Sequence, residues 1–197
     1  ARVLMDKHVV NVLPFLSMLM GNYLSTFGVL LLCTQYRALA LRQQASHDPL
    51  TGLLNRRGFM ELMARRRMTE FGALAVLDLD DFKQINDRHG HEMGDRVLAA
   101  VGAYLGAQQE LVASRFGGEE FVLLLPQEDE TAQQQRCEQI IRSLAAQDMH
   151  GIGITVSMGL VRCQHSWHFD TLFSQADRAL YQAKREGKNR VCRLAQA

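Results

Sequence analysis

The sequence predicts an α/β (α+β) body, in which helices flank a mixed central β-sheet, preceded by one long N-terminal helix. Strand-like apolar runs alternate with segments of helical spacing from residue 47 onward. Two adjacent glycines between two apolar runs indicate a tight hairpin, which brings antiparallel pairing into the sheet. An uncharged stretch over residues 9–36 precedes this body and is long enough for a helix that spans a bilayer.

The N-terminal stretch is predicted to cross a membrane between about Pro14 and Cys33. Few clearly polar side chains occur between these residues, and proline suits the first turn of a helix. Arg37 and Arg42 follow, as expected on the cytoplasmic face of a bacterial inner membrane. A soluble signalling helix that pairs with a second copy is the alternative, since Asn22 and the moderate hydropathy suit that role too.

The globular domain is assigned to residues 46–197, after a helix and linker over residues 1–45. Residues 73–80 form a continuous apolar run that ends in acids, which is typical of a buried strand. Residues 95–108 have apolar side chains at helical spacing on one face. The two glycines at 117–118 are then expected to form the hairpin turn, because glycine takes positive φ without strain.

The second half of the domain is predicted to contain two helices and two strands. Residues 129–147 and 169–186 have the spacing of amphipathic helices. Residues 153–158 form an apolar run that predicts a strand, and residues 190–194 predict a short final strand.

The composition fits one globular domain with an appendage. The 197 residues are 47% hydrophobic and 22% charged, with a net charge of +1, so no broad electrostatic footprint for nucleic acid is present. The four cysteines are scattered, with no pair at metal-ligand spacing. We therefore expect reduced thiols in the cytosol.

Four acids are predicted to meet at one end of the sheet. Asp78 and Asp80 end a strand two residues apart and share a face if the chain stays extended. Glu119 and Glu120 follow the glycines and should point to opposite faces, which predicts different roles. Asp78 and one glutamate would hold Mg²⁺, which prefers a few carboxylate oxygens together with substrate phosphates.

Two further segments predict nucleotide contacts. A sharp turn after Asp80 would expose backbone N–H groups that can bind phosphate, and Lys83 would add a positive charge beside them. Helix N-capping is an equally good role for the side chains of Asp80 and Asp81. Asn86 and Asp95 lie at the two ends of a polar segment. Their amide and carboxylate side chains could form hydrogen bonds with the edge of a guanine base. For Asp95 alone, a helix N-cap is the simpler role.

Together these segments resemble the GGDEF-domain family of bacterial diguanylate cyclases. Five segments carry the resemblance, which covers about residues 46–197. They are residues 48–57 (DPLTGLLNRR), 78–87 (DLDDFKQIND), 90–95 (GHEMGD), 115–121 (RFGGEEF) and 177–190 (DRALYQAKREGKNR). The resemblance implies a palm-like nucleotide-cyclase fold and the condensation of two GTP into cyclic di-GMP, with release of two pyrophosphates.

The resemblance also implies a role for individual residues. Asp78, the carbonyl of Leu79 and Glu119 would hold Mg²⁺ or Mn²⁺, and Glu119 or Glu120 would help to activate the ribose 3′-hydroxyl. The implied substrate-binding residues are Asn86, His91, Asp95, Leu50 and Phe82 for guanine, and Lys83, Lys184 and Lys188 for the β- and γ-phosphates. One body would hold one GTP, so a homodimer would be needed for turnover.

The chain departs from the family pattern in a few places. Phe116 stands where tyrosine is usual, and Asp81 where an aromatic residue or histidine is common. The RxxD motif of product-inhibited members is missing, because the corresponding residues 108–111 read QQEL. We therefore predict no feedback inhibition through that site. The alternatives to an active cyclase are a silent module that binds GTP or a protein partner, and a cyclase that uses ATP.

Overall fold

The computed structural model of the chain describes residues 2–44, 46–65, 71–163 and 168–194; within the first helix, side chains are described for residues 14–35. The chain divides into two units, Ala1–Ala45 and Ser46–Ala197.

The first unit is the helix α1 (Arg2–Gln44). Its segment Pro14–Gln35 has 22 residues and is long and apolar enough to cross a membrane. At 1.5 Å per residue this segment measures about 33 Å, which matches a bilayer core of about 30 Å. Pro14 lies inside the helix rather than in its first turn, so that part of the prediction is wrong. The side chains of Arg37 and Arg42 lie outside the described residues.

The described part of the second unit contains six strands and five helices. In chain order they are β1 (Leu54–Asn55), α2 (Arg56–Arg65), β2 (Phe71–Leu79), α3 (Phe82–His89), α4 (His91–Gly106), β3 (Val112–Gly117), β4 (Glu120–Pro126), α5 (Glu130–Ala146), β5 (Val156–Arg162), α6 (Phe169–Arg185) and β6 (Val191–Arg193). The strands form one sheet in the order β1-β3-β4-β2-β5-β6. Pairing is parallel at the two outer pairs and antiparallel elsewhere, which confirms the predicted mixed sheet.

The central strand β2 is buried on both faces, because its residues alternate between two apolar clusters. Leu77 and the other odd-numbered residues from Ala73 to Leu79 pack with α3, α4 and α5. Leu74 and Val76 pack with α2 and α6 on the opposite face. This layering explains why the strand is a continuous apolar run rather than an alternating one.

Two predicted boundaries are wrong. The helix predicted from residue 95 begins at His91, and the polar segment before it is the short helix α3, separated from α4 by Gly90. Asp95 therefore lies within α4 and does not cap it. The strand predicted at residues 153–158 begins instead at Val156 and continues to Arg162, along its pairing with β2.

Candidate active site

The candidate site lies where β2 ends and β4 begins, beside α6. Asp78 on β2 is directly opposite Glu120 on β4 and Ser157 on β5. Directly opposed residues of an antiparallel pair point to the same face of the sheet. The aspartate that ends the first long strand and the acids of the hairpin are therefore neighbours.

The hairpin between β3 and β4 differs from the prediction by one residue. Gly117 pairs with Glu120, so the two turn residues are Gly118, at φ +49°, and Glu119. An irregularity in the pairing between Arg115 and Gly117 shifts the register. Glu119 consequently belongs to the turn and Glu120 to the strand, so the two glutamates occupy different backbone environments.

Arg115 holds the hairpin turn in place from β3. Its guanidinium donates to the Gly118 carbonyl from Nε at 3.0 Å and from Nη2 at 2.8 Å. Nη1 donates to Asp48 Oδ1 at 3.0 Å, and that oxygen also accepts from the Thr51 N–H and hydroxyl. Burial raises the pKa of Asp48, but the hydrogen bonds from Thr51 and Arg115 outweigh it and leave the pKa below its usual value.

We expect the variant Asp48→Asn to be less stable at neutral pH and to match the wild type in acid. A carboxylate with a lowered pKa stabilises the fold above its unfolded pKa, and the effect is lost as the pH falls through the folded pKa. The expected loss is about 1 kcal/mol, or a Tm lower by about 2–4 °C. Thermal unfolding at pH 7 and pH 3 measures it; an equal deficit at both pH values would contradict the assignment.

Asp78 is buried and forms an ion pair with Lys184. Its Oδ1 lies 2.7 Å from the Lys184 ammonium, which is a charge-assisted contact, and this oxygen has no other donor among the described residues. Burial is the main reason that the pKa of Asp78 is raised; Lys184 lowers it, and Glu119 and Asp80 raise it further. A buried carboxylate whose only donor is an ammonium can accept a metal cation in its place once the ammonium moves away.

A cavity of about 450 Å³ opens beside this carboxylate. Asp78, Glu120 and Lys184 line it together with Asp177 and Arg178 of α6. Partial burial raises the pKa of Glu120, and the charges of Asp78 and Asp177 raise it further. The cavity thus brings several carboxylates to one place together with two cationic side chains.

The residues predicted to contact guanine lie around α3, α4 and the turn before β1. Gly94 is in close contact with the preceding helix, because a Cβ there would collide with the Asn86 side chain and come close to the Phe82 ring. Asn86 thus sits beside the turn of α4 that carries Asp95. Phe82 is buried, whereas Asp95 is exposed.

The remaining predicted guanine residues differ in burial. Leu50 is partly buried and packs on the core cluster that includes Phe82. His91 is exposed as the first residue of α4.

The predicted phosphate-binding lysines lie near the acids, and two of them are already paired. Lys188 Nζ is 2.7 Å from Asp81 Oδ1, and Lys184 pairs with Asp78 as described. Lys83 is exposed on α3, with no ion pair among the described residues.

The prediction that the Asp80 and Asp81 side chains cap a helix is wrong. Asp81 occupies the N-cap position of α3 but makes no side-chain cap hydrogen bond. The Asp80 carboxylate instead accepts hydrogen bonds from Thr155, Ser157 and Asn189.

A family comparison decides the identity of this site. The family model described as "Diguanylate cyclase, GGDEF domain" matches residues 45–190. The chain belongs to the GGDEF family. The five residues that correspond to the family name are GGEEF at positions 117–121, whose turn and acids are described above.

Named relatives of the chain agree with this assignment. Diguanylate cyclase DgcP of Pseudomonas aeruginosa is 42% identical over 162 residues, covering 76% of this chain and 24% of the relative. Diguanylate cyclase DgcM of Escherichia coli is 40% identical over 159 residues, covering 77% of this chain and 39% of the relative. The chain thus spans only about a quarter to two fifths of these relatives.

The structural comparison extends beyond the GGDEF domain itself. The coiled coil and GGDEF domain of DgcB from Caulobacter crescentus, in complex with c-di-GMP, matches with a TM-score of 0.69 and 28% identity. The match covers 89% of this chain and 99% of that one.

The donor set of this GGDEF domain fits a hard divalent cation. Asp78 offers a buried carboxylate whose Oδ1 contacts only the Lys184 ammonium, and Glu119 is close enough to affect its pKa. The described residues contain no group of three or more His, Cys, Asp or Glu side chains arranged to hold a metal. Mg²⁺ does not need such a cage, because it binds through one or two carboxylates and substrate phosphates.

Two side chains that line the cavity, Asp177 and Arg178, were not predicted as site residues from the sequence. Asp177 lies seven residues before Lys184, a spacing that places both on one face of α6. That spacing was a usable signal for Asp177. Arg178 offered none, because an arginine on the exposed part of a helix is ordinary.

Proposed function

We propose that the chain is a diguanylate cyclase, which condenses two GTP into cyclic di-GMP and releases two pyrophosphates. The pairing of Asp78 with Glu120, beside the turn that holds Glu119, is the observation that carries the proposal. Phosphoryl transfer needs carboxylates of this kind, to hold a cation and to accept a proton. The relatives DgcP and DgcM are themselves named diguanylate cyclases.

The guanine base is proposed to bind between α3 and α4. A carboxylate accepts from the N1 and N2 hydrogens of guanine, which suits Asp95, and the amide of Asn86 can satisfy an acceptor of the base. Phe82 and Leu50 supply an apolar wall, and His91 lies at the edge. Adenine presents no such N1 and N2 donors, so this arrangement favours GTP over ATP.

The triphosphate is proposed to extend from α3 toward the end of α6. Lys83, Lys184 and Lys188 would bind the β- and γ-phosphates, with backbone N–H groups of the turn before α3. Lys184 and Lys188 now pair with Asp78 and Asp81. Binding of substrate would draw the two ammonium groups from these carboxylates to the phosphates, and free Asp78.

Asp78, the Leu79 carbonyl and Glu119 are proposed to hold Mg²⁺ or Mn²⁺, which when bound supplies positive charge against the triphosphate. Glu119 or Glu120 accepts the proton of the ribose 3′-hydroxyl. The freed oxygen bonds to the α-phosphorus of the second GTP, and the bond to pyrophosphate breaks. The raised pKa of Glu120 makes it a better proton acceptor than an ordinary glutamate.

A homodimer is proposed as the active form, because each domain holds one GTP and the reaction joins two. Turnover per subunit should therefore fall on dilution. Fusion to a dimeric coiled coil should restore it at low concentration. A domain that is equally active when diluted to a monomer would contradict this part of the proposal.

The helix α1 is proposed to anchor the chain in the inner membrane, with the GGDEF domain in the cytosol. The exposed apolar side chains of Pro14–Gln35, among them Tyr23 (75% exposed) and Leu24 (69%), support an apolar surrounding. The full chain should stay with membranes through alkaline carbonate extraction, and a chain without residues 1–45 should not. Release of both would overturn the anchor.

We expect that added cyclic di-GMP does not inhibit turnover non-competitively. Residues 108–111 lack the arginine and aspartate of the RxxD motif, and the nearby Arg136 is held by Glu128 at 2.7 Å and by Glu110 at 3.8 Å. Initial rates at increasing product concentration measure this. A matched enzyme that carries RxxD serves as the positive control, and strong non-competitive inhibition of this chain would refute the prediction.

Pyrophosphate release from GTP and from ATP, each with Mg²⁺, tests the proposal as a whole. Release from GTP alone is expected. Release from ATP at a similar rate would favour a different nucleotidyl cyclase, and release from neither by the fused dimer would favour a silent module.

A further inference from the structure

Asp80 is a buried carboxylate that the proposed chemistry does not use. It is 5% exposed and directly follows β2. Its oxygens accept from Ser157 Oγ at 2.7 Å, from Thr155 Oγ1 at 2.9 Å and from the Asn189 backbone N–H at 3.1 Å. These three donors offset the cost of removing the carboxylate from water.

The three donors come from two separate segments of the chain, and the Asp80 carboxylate joins these two segments. Thr155 directly precedes β5 and Ser157 is the second residue of that strand, whereas Asn189 lies in the turn between α6 and β6. The residue before Asn189 is Lys188, and its ammonium reaches Asp81 beside Asp80. The Asp80 carboxylate thereby connects the turn before α3 to the turn that carries Lys188.

The turn that carries Lys188 has a backbone conformation that needs support. Lys188 has φ +62° and Asn189 has φ +49°, so two consecutive non-glycine residues adopt left-handed angles. Such residues cost free energy, and a lysine gains no local side-chain hydrogen bond that would reduce the cost. The bond from the Asn189 N–H to Asp80 holds the backbone at this point.

We propose that Asp80 is a positioning residue for the triphosphate, acting through the turn that carries Lys188. Its carboxylate fixes the Asn189 N–H, which keeps Lys188 directed toward the turn before α3. The inference rests on the proposed binding of GTP at this site. It assigns Asp80 neither to the metal nor to the base: its loss weakens contacts to the β- and γ-phosphates and leaves guanine binding intact.

The test compares two nucleotides that cannot react, 3′-deoxy-GTP and 3′-deoxy-GMP, binding to the full chain with Mg²⁺ by calorimetry. Asp80→Ala should weaken 3′-deoxy-GTP binding by at least about 10-fold and change 3′-deoxy-GMP binding by less than about 2-fold. Asp80→Asn keeps an oxygen acceptor for Asn189 and should recover most of the affinity. Should Asp80→Ala fail to fold, Asp80→Ser replaces it, because its hydroxyl is too short to reach Asn189.

A double-mutant cycle with Lys188→Ala separates positioning from general damage. If Asp80 acts through Lys188, the double variant binds 3′-deoxy-GTP about as weakly as Lys188→Ala alone. Ser157→Ala is the matched control: it removes one hydroxyl but leaves the Asn189 contact, so it should change binding by less than about 3-fold.

Equal weakening of both nucleotides by Asp80→Ala, or full additivity with Lys188→Ala, would overturn the positioning role. Unchanged binding of 3′-deoxy-GTP by Asp80→Ala would also overturn the positioning role. The proposed function would not be affected by that result. A wild-type chain that binds neither nucleotide would overturn the proposed function itself, and this inference with it.

Discussion

Asp78→Asn is expected to abolish turnover of GTP while leaving the fold intact or slightly more stable. The substitution keeps the shape of the side chain but removes the charge that would hold the divalent cation. Removing one group that stabilises transition-state charge costs about 100- to 1,000-fold in rate, so we expect a loss of at least about 100-fold.

The stability of Asp78→Asn follows from the direction of the pKa shift. The pKa of Asp78 is raised by burial, so the ionised carboxylate at neutral pH weakens the folded state. That penalty is absent below the unfolded pKa, grows as the pH rises, and does not exist for asparagine. The Tm of Asp78→Asn should therefore equal or exceed that of the wild type at pH 7.

The control for this variant is Asp170→Asn, the same change at an exposed position in the first turn of α6. It should leave turnover within about 2-fold of the wild type, as surface substitutions usually do. If Asp78→Asn keeps most of its activity, the proposed role of Asp78 in holding the metal is wrong. A large fall in its Tm would instead mean that Asp78 is primarily structural.

Glu120→Gln is expected to lower kcat and leave binding of 3′-deoxy-GTP nearly unchanged. Glu120 lies opposite Asp78 and has a raised pKa, two properties that suit a proton acceptor. A general base contributes about 100- to 10,000-fold to a rate, and glutamine cannot replace it. Steady-state kinetics and calorimetry on the same preparation separate the two effects.

Glu61→Gln is the matched control for Glu120→Gln. Glu61 forms an exposed ion pair with Arg57 on α2, and such pairs contribute little. Its kcat should match that of the wild type. If Glu120→Gln lost nucleotide affinity and kept kcat, Glu120 would be a binding residue, and the proton acceptor would have to be Glu119.

The fold could be predicted largely because its signals are local. The apolar run of β2 and the spacing of α5 and α6 lie within single segments, so periodicity was sufficient. Helix α3 and the first turn of α4 were missed because their polar residues gave the composition of a loop, whereas Phe82 and Met93 pack against the core. Packing against the sheet outweighs local composition at that place.

The acids of the candidate site were proposed from their residue types and spacing, and the roles of the lysines from the resemblance to the GGDEF family. The contacts between site residues could not be predicted in the same way. The contacts that support them join residues far apart in sequence, as with Asp48 and Arg115 or Asp80 and Asn189. Such pairs leave no periodic pattern, so only the folded chain reveals them.

The most direct measurement is the identity of the product. The full chain, fused as a dimer, is incubated with GTP and Mg²⁺, and the products are separated and weighed by mass spectrometry, with Asp78→Asn beside it. The expected result is cyclic di-GMP with two pyrophosphates for each molecule formed, and a yield at least about 100-fold lower from the variant. No cyclic dinucleotide from a verified dimer, or the same yield from Asp78→Asn, would contradict it.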